Sequence, residues 1–252
     1  MELNRIYNED CLEGMKRIED KSIDMILCDL PYQVTAQKWD TIIPFKPLWE
    51  QYERVIKDNG SILLFGIEPF STRLRMSNFE KYRYDIYWEK SKPGLYQHAK
   101  NRPMKAIETI SIFSKAKWGH VSQVKNRMNY FPQGVTNAGV KTVTKNHNAG
   151  GTVGERPNQI GKQYESQTGF PKDILRYKSV TGKKALHPTQ KPVDLIEYLI
   201  KTYSVEGETV LDNCIGSGTT AIAAMNTKRN FVGFELDETY FNIANKRIAE
   251  HK

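Results

Sequence analysis

Two short segments of the 252-residue chain carry residue types suited to chemistry. The first, Asp29-Leu30-Pro31-Tyr32, closes the apolar run Ser22–Asp29. A carboxylate followed by the Leu30 backbone carbonyl offers two acceptors to the hydrogens of an exocyclic amine. Such an amine is a weak nucleophile because its lone pair is delocalised into the ring. Acceptors on its hydrogens favour the pyramidal form and stabilise the positive charge that develops as it attacks a methyl donor. Pro31 fixes the backbone, and Tyr32 offers a face on which an extruded base stacks. Taken alone, the four residues also fit a strand end with a turn proline.

The second segment is Cys214-Ile215-Gly216-Ser217-Gly218-Thr219-Thr220-Ala221, with Glu235 placed 19 residues after Gly216. Glycines at a strand-to-helix turn let backbone approach a ligand, and an acid ending the next strand accepts ribose hydroxyls. The spacing alone fits a dinucleotide as well as S-adenosyl-L-methionine. Asp212 favours the second, since a carboxylate just before the loop repels a pyrophosphate but suits an ammonium or sulfonium. Only 17 residues follow Glu235, too few for a dinucleotide half-domain, so the remaining strands are expected from earlier in the chain.

The elements that must hold these segments read as α/β. Strands are expected at Ser22–Asp29, Gly60–Gly66, Tyr84–Trp88, Thr109–Phe113, Thr209–Asn213 and Phe231–Glu235, and helices at Phe45–Lys57, Val193–Tyr203, Thr219–Asn226 and Glu238–His251. The pattern predicts a Rossmann-like, doubly wound, mostly parallel sheet. Residues 134–169 show little apolar periodicity and read as an irregular insertion.

Charge divides the chain. The formal net charge is +8, yet residues 90–191 hold 19 Lys and Arg against Glu108, Glu155, Glu165 and Asp173, a local +15 that leaves −7 elsewhere. A basic middle between acidic flanks suits a polyanion, with a solvated basic surface as the plain alternative. Lys90, Lys92, Lys100, Arg102 and Lys105, interleaved with Trp88, Tyr96 and His98, are the expected nucleic-acid contacts, and Asn137–Thr168 is expected to order on the same partner. The domain reading is 1–89 and 186–252 for catalysis and cofactor, with 90–185 as a basic insertion, the place where the family resemblance set out below implies target recognition. Cys11, Cys28 and Cys214 include no C-x-x-C pair, so reduced thiols are expected rather than disulfides or a zinc site. The lack of a long apolar run or a signal-like start points to the cytoplasm and away from membranes.

Together these residues resemble a β-class S-adenosylmethionine-dependent DNA amino-methyltransferase, in which a D-P-P-Y-type motif precedes the target-recognition segment and the cofactor loop comes last. The resemblance covers nearly the whole chain: Asn8 to Leu12, Asp29 to Tyr32, Trp39-Asp40, His187 to Pro192, Val210 to Thr220, and Gly233-x-Glu235 with Tyr240. It implies that Asp29, Leu30, Pro31 and Tyr32 hold the target base, with Trp39 near the DNA. Asp10 and Cys11 would lie near the cofactor adenine and Glu235 at its ribose. Asp212, Cys214, Gly216, Ser217, Gly218, Thr219 and Thr220, with Thr189 and Lys191, would surround the methionine end. Leu30 stands where the family usually has proline, and Cys214 where phenylalanine is common.

The resulting expectation is direct, metal-free methyl transfer to adenine N6 on a base flipped from double-stranded DNA. Cytosine N4 is the alternative; RNA or protein-glutamine acceptors, a catalytically silent DNA-binding module and a nicotinamide dehydrogenase rank below it. A homodimer and a cognate restriction endonuclease are further partners compatible with the resemblance. His187 is expected to pack or cap rather than act as a base.

Overall fold

A computed structural model describes residues 1–33, 41–117, 126–144, 160–182 and 186–251. The apolar runs form the centre of a sheet because their side chains alternate between two buried faces. In β2 (Ile23–Cys28), Met25 and Leu27 enter one core cluster while Ile26 and Cys28 enter the other. β3 (Ile56–Gly66) repeats this with Leu63 and Phe65 against Ile62 and Leu64. Strands buried on both faces are what a parallel sheet covered by helices requires.

The remaining strands of this sheet are β1 (Arg5–Tyr7), β4 (Tyr82–Gly94), β5 (Lys105–Phe113), β8 (Ile174–Tyr177), β9 (Thr209–Asp212) and β10 (Asn230–Phe234). Their order is β1-β10-β9-β2-β3-β5-β4-β8. From β1 to β3 every pairing is parallel; β5 runs antiparallel to both β3 and β4, and β8 is parallel to β4. One core cluster takes residues of α1 (Cys11–Met15), α2 (Phe45–Val55) and α3 (Phe70–Ser77), and the other those of α4 (Val193–Tyr203), α5 (Thr219–Asn226) and α6 (Glu238–Glu250). The doubly wound architecture expected from the sequence is the one observed.

The chain separates into two compact units, residues 1–131 with 173–252, and residues 132–172. The smaller contains an antiparallel pair, β6 (Thr136–Thr142) and β7 (Gln163–Thr168). This strand pair is a correction to the irregular reading of 134–169. Every residue of β6 is exposed, so backbone pairing forms it without an apolar pattern to announce it. The basic stretch 90–185 thus supplies strands to the large sheet as well as the whole of the small unit. Among the described residues no helix is long and apolar enough to cross a membrane.

Candidate active site

Parallel strands end at a common edge, and the two candidate segments meet there. Asp29 follows β2, Asp212 ends β9, and Glu235 follows β10. A cavity of about 380 Å³ at this edge is lined by Asp10, Cys11, Asp29 to Tyr32, Thr189, Lys191, Asp212, Cys214, Gly216, Ser217, Thr219, Thr220 and Glu235. Of the expected cofactor residues, only Gly218 is not among its walls. Its part is structural: with φ +82° it caps α5, and a Cβ there would meet that of Ala244 at 3.0 Å.

At one end of the cavity, carboxylates are held mainly by backbone N–H groups. Glu235 accepts the N–H of Gly216 and that of Asp237, each at 2.8 Å, one on each oxygen, which leaves its remaining lone pairs for a ligand. Asp212 accepts from the Thr220 hydroxyl at 2.6 Å and the Cys214 N–H at 3.1 Å. Burial still raises the Asp212 carboxyl to about 7, against the help of those donors. A buried acid so poised favours a cationic partner. Gly216 has φ +54°, and a Cβ there would meet nothing closer than the His187 ring at 3.8 Å, so conformation rather than space demands glycine. Asp10 caps α1 through the N–H groups of Leu12 and Glu13, which fixes Cys11 as the first helical residue. The Asn213 amide donates to the Cys11 and Cys214 thiols, each at 3.5 Å.

The other end is held by side chains. Asp29 accepts from the Tyr32 hydroxyl and, at 2.5 Å, from Lys191. Burial raises the Asp29 carboxyl, opposed by Lys191 and reinforced by Glu108. Leu30 is buried, while the Tyr32 ring lies 4.9 Å from Phe70 and also borders the cavity. Lys191 sits 3.3 Å from Glu108 and 5.1 Å over the Phe65 ring. Burial works against its ammonium, but the two carboxylates hold its pKa above the ordinary lysine value.

His187 also borders the cavity. Its Nδ1 accepts the Thr189 N–H at 3.3 Å, its ring lies 4.2 Å from that of Tyr240, and burial lowers it to about 4.

The expected DNA residues separate. Lys100 and Arg102 are exposed in the β4–β5 connection, beside Tyr96 at 79% exposure. Lys92 is exposed, 3.4 Å from the Thr181 hydroxyl. Lys105 donates to the Glu68 carbonyl at 3.2 Å. Lys90 turns inward and pairs with Glu108 at 3.0 Å, because a buried carboxylate is costly unless a cation is paired with it. Trp39 and Asp40 lie outside the described residues, as do residues 145–159 of the Asn137–Thr168 stretch.

Sequence reasoning passed over Glu108, Phe65 and the wall Thr41 to Pro44. A signal for Glu108 was present: it is one of only four acids among the 102 residues from 90 to 191.

A doubly wound sheet whose ligand edge joins a glycine turn and two held acids to an Asp-Leu-Pro-Tyr turn is the architecture of an enzyme that binds a nucleoside-containing cofactor. The chain belongs to the DNA methylase family of S-adenosylmethionine-dependent amino-methyltransferases, whose model matches residues 23–246. It is 31% identical to the type II methyltransferase M1.MboII of Moraxella bovis, over 97% of this chain and 96% of that protein. To M.HinfI of Haemophilus influenzae it is 28% identical, over 99% of this chain and 69% of that protein. Two solved structures share the fold. M1.HpyAVI in complex with S-adenosylmethionine gives a TM-score of 0.62 at 23% identity, covering 97% of this chain and 98% of that one. The cytosine-N4-specific PvuII DNA methyltransferase gives 0.65 at 16% identity, covering 98% and 93%.

Proposed function

We propose that this enzyme methylates the N6 amino group of adenine in double-stranded DNA, by direct in-line transfer to a flipped base. The observation that carries the reading is Asp29 at the cavity wall, held by Lys191 and Tyr32 beside the Leu30 backbone. S-adenosylmethionine, when bound, supplies an electrophilic methyl group. Glu235 suits its ribose, Asp10 and Cys11 its adenine, and Asp212 with Thr189 and the Gly216–Thr220 turn its charged methionine end. Asp29 and the Leu30 carbonyl accept from the two amine hydrogens, while Tyr32 packs on the base. As the amine attacks, positive charge develops beside Asp29, which steadies it and stands ready to take the released proton. Tyr32 stays protonated, since burial and Asp29 push its phenol well above the ordinary range.

DNA is proposed to cross the same edge. β5 begins, and β4 ends, beyond the end of β3, because Gly66 pairs with Thr109 in antiparallel register and Gly94 with Lys105. The exposed Lys100 and Arg102 therefore lie at the ligand edge of the sheet, suited to phosphates, with the 90–185 stretch as the target-recognition region. The type II designation of M1.MboII and M.HinfI supports a restriction-linked role, with a cognate endonuclease as partner.

Purified protein, labelled cofactor and mixed-sequence unmodified duplex DNA, followed by nucleoside analysis, test the assignment. N6-methyladenine that disappears in Asp29→Ala is the expected result. N4-methylcytosine as the product replaces adenine with cytosine and leaves the rest of the mechanism in place.

A further inference from the structure

A row of buried charge runs away from the cavity wall. Lys191 Nζ lies 2.5 Å from Asp29 and 3.3 Å from Glu108, and Glu108 accepts from Lys90 at 3.0 Å. The Lys191, Glu108 and Lys90 side chains are only 9%, 12% and 16% exposed. Signs alternate along Asp29, Lys191, Glu108 and Lys90, so the four ionised groups are neutral as a set, the condition under which burying them is tolerable. They arrive from the end of β2, the segment before α4, β5 and β4. Glu108 is paired in register with Trp88, which brings Lys90, two residues further along β4 on the same face, within reach.

This arrangement bears on the acceptor. A lysine facing Asp29 alone would settle on that carboxylate and draw its lone pairs away from a substrate. A second carboxylate on the far side divides the attraction. Lys90 in turn limits the share Glu108 takes, and with Lys191 it keeps the Glu108 carboxyl below the ordinary glutamate range although burial works the other way.

We propose that Glu108 is a positioning residue for methyl transfer: by sharing Lys191 with Asp29 it leaves the Asp29 carboxylate free to engage the target amine, and Lys90 sets the strength of that sharing. The inference rests on the reading of Asp29 as the amine acceptor. Among the described residues, the charged and titratable groups that bear on Asp29 are Lys191, Glu108 and Tyr32, with Cys28 and Asp212 beyond them; those that bear on Glu108 are Lys191, Lys90, Lys105 and Tyr32.

The test is the pH profile of kcat for the full chain on unmodified duplex DNA with S-adenosylmethionine. Asp29 must be ionised to accept, so its titration forms the acid limb. Glu108→Gln removes a negative neighbour and leaves Lys191 to Asp29 alone, and both effects move the limb to lower pH. The retained carboxylate is a weaker acceptor, so kcat is expected to fall about tenfold while KM for the cofactor changes less than about twofold. Lys90→Gln removes a cation and lets Glu108 claim more of Lys191, so the limb moves to higher pH. Glu108→Asp is expected to recover part of kcat. Limbs that stay in place in both variants, or move the same way, overturn the proposal, as does a rise in KM with kcat unchanged. Thermal melting identifies a variant that has lost its fold, and the nearer-surface Lys90→Gln then carries the decision. Asp29→Ala is run alongside: full activity there defeats the reading of Asp29 itself, whereas its loss with unmoved limbs defeats only the role of Glu108.

Discussion

The two ends of the cavity are built by different means. At the glycine turn, Glu235 and Asp212 are held by the N–H groups of Gly216, Asp237 and Cys214 and by the Thr220 hydroxyl, no bond joining residues more than 19 apart in the chain. At the Asp-Leu-Pro-Tyr turn, Asp29 is held by Tyr32 and by Lys191, which is 162 residues away. Backbone donors come with the turn and tolerate changes in neighbouring side chains. A buried ion row depends on every member, since removing one leaves the next uncompensated. The glycine-turn end is therefore locally robust and the Asp29 end globally coupled, a division that suits the cofactor cradle and reaction centre proposed for them.

The largest expected effect breaks the coupled end. Lys191→Met leaves Asp29 without its cation and Glu108 with Lys90 alone, which is expected to cost about 3–5 kcal/mol of stability in denaturant unfolding. Methylation should be lost with it. A stability change of under about 1 kcal/mol would show that the row is worth no more than a surface pair.

The same contrast predicts a milder response at the turn. Gly216→Val forces a branched residue into a positive φ, a strain of about 1–3 kcal/mol, and is expected to weaken S-adenosylmethionine binding by calorimetry while leaving the cooperative melt in place.

A smaller effect is the pH dependence of Asp212, whose carboxyl burial raises to about 7. Below that pH the free site is protonated, and a cationic ligand favours the carboxylate, so binding releases a proton. Cofactor affinity should rise with pH and level off above about 7. The raised carboxyl also contributes folding stability that is fully present below the ordinary aspartate pKa and lost as pH rises through about 7. Asp212→Asn should flatten both trends, and an unchanged pH dependence would remove Asp212 from the cationic end.

The smallest effect lies outside the cavity. Arg102→Ala is expected to lower the salt dependence of DNA binding by about one phosphate contact without altering cofactor affinity. An unchanged slope would take Arg102 off the DNA.

These regions also differ in how plainly the amino acids announce them. The helices Val193–Tyr203 and Thr219–Asn226 have the bounds read from spacing and capping, because their apolar faces and the glycine turn are local. α1 escaped notice at five residues, too short for a periodic signal. The β6 and β7 pair was equally silent, since exposed strands need no alternation. Lys90 shows the limit most clearly. Beside other cations in the sequence it read as a DNA contact, and only its pairing with Glu108 across the β4–β5 register turned it inward.

What the amino-acid sequence determined by itself was therefore whatever is local. That covers the Asp-Leu-Pro-Tyr turn, the glycine turn with its acids, the strand-and-helix alternation and the charge excess of the middle region. What tertiary structure alone decided was the partnership of charges distant in the chain. Coulomb attraction depends on separation and burial in space, and neither is written in the spacing of Asp29, Lys90, Glu108 and Lys191 along the polypeptide.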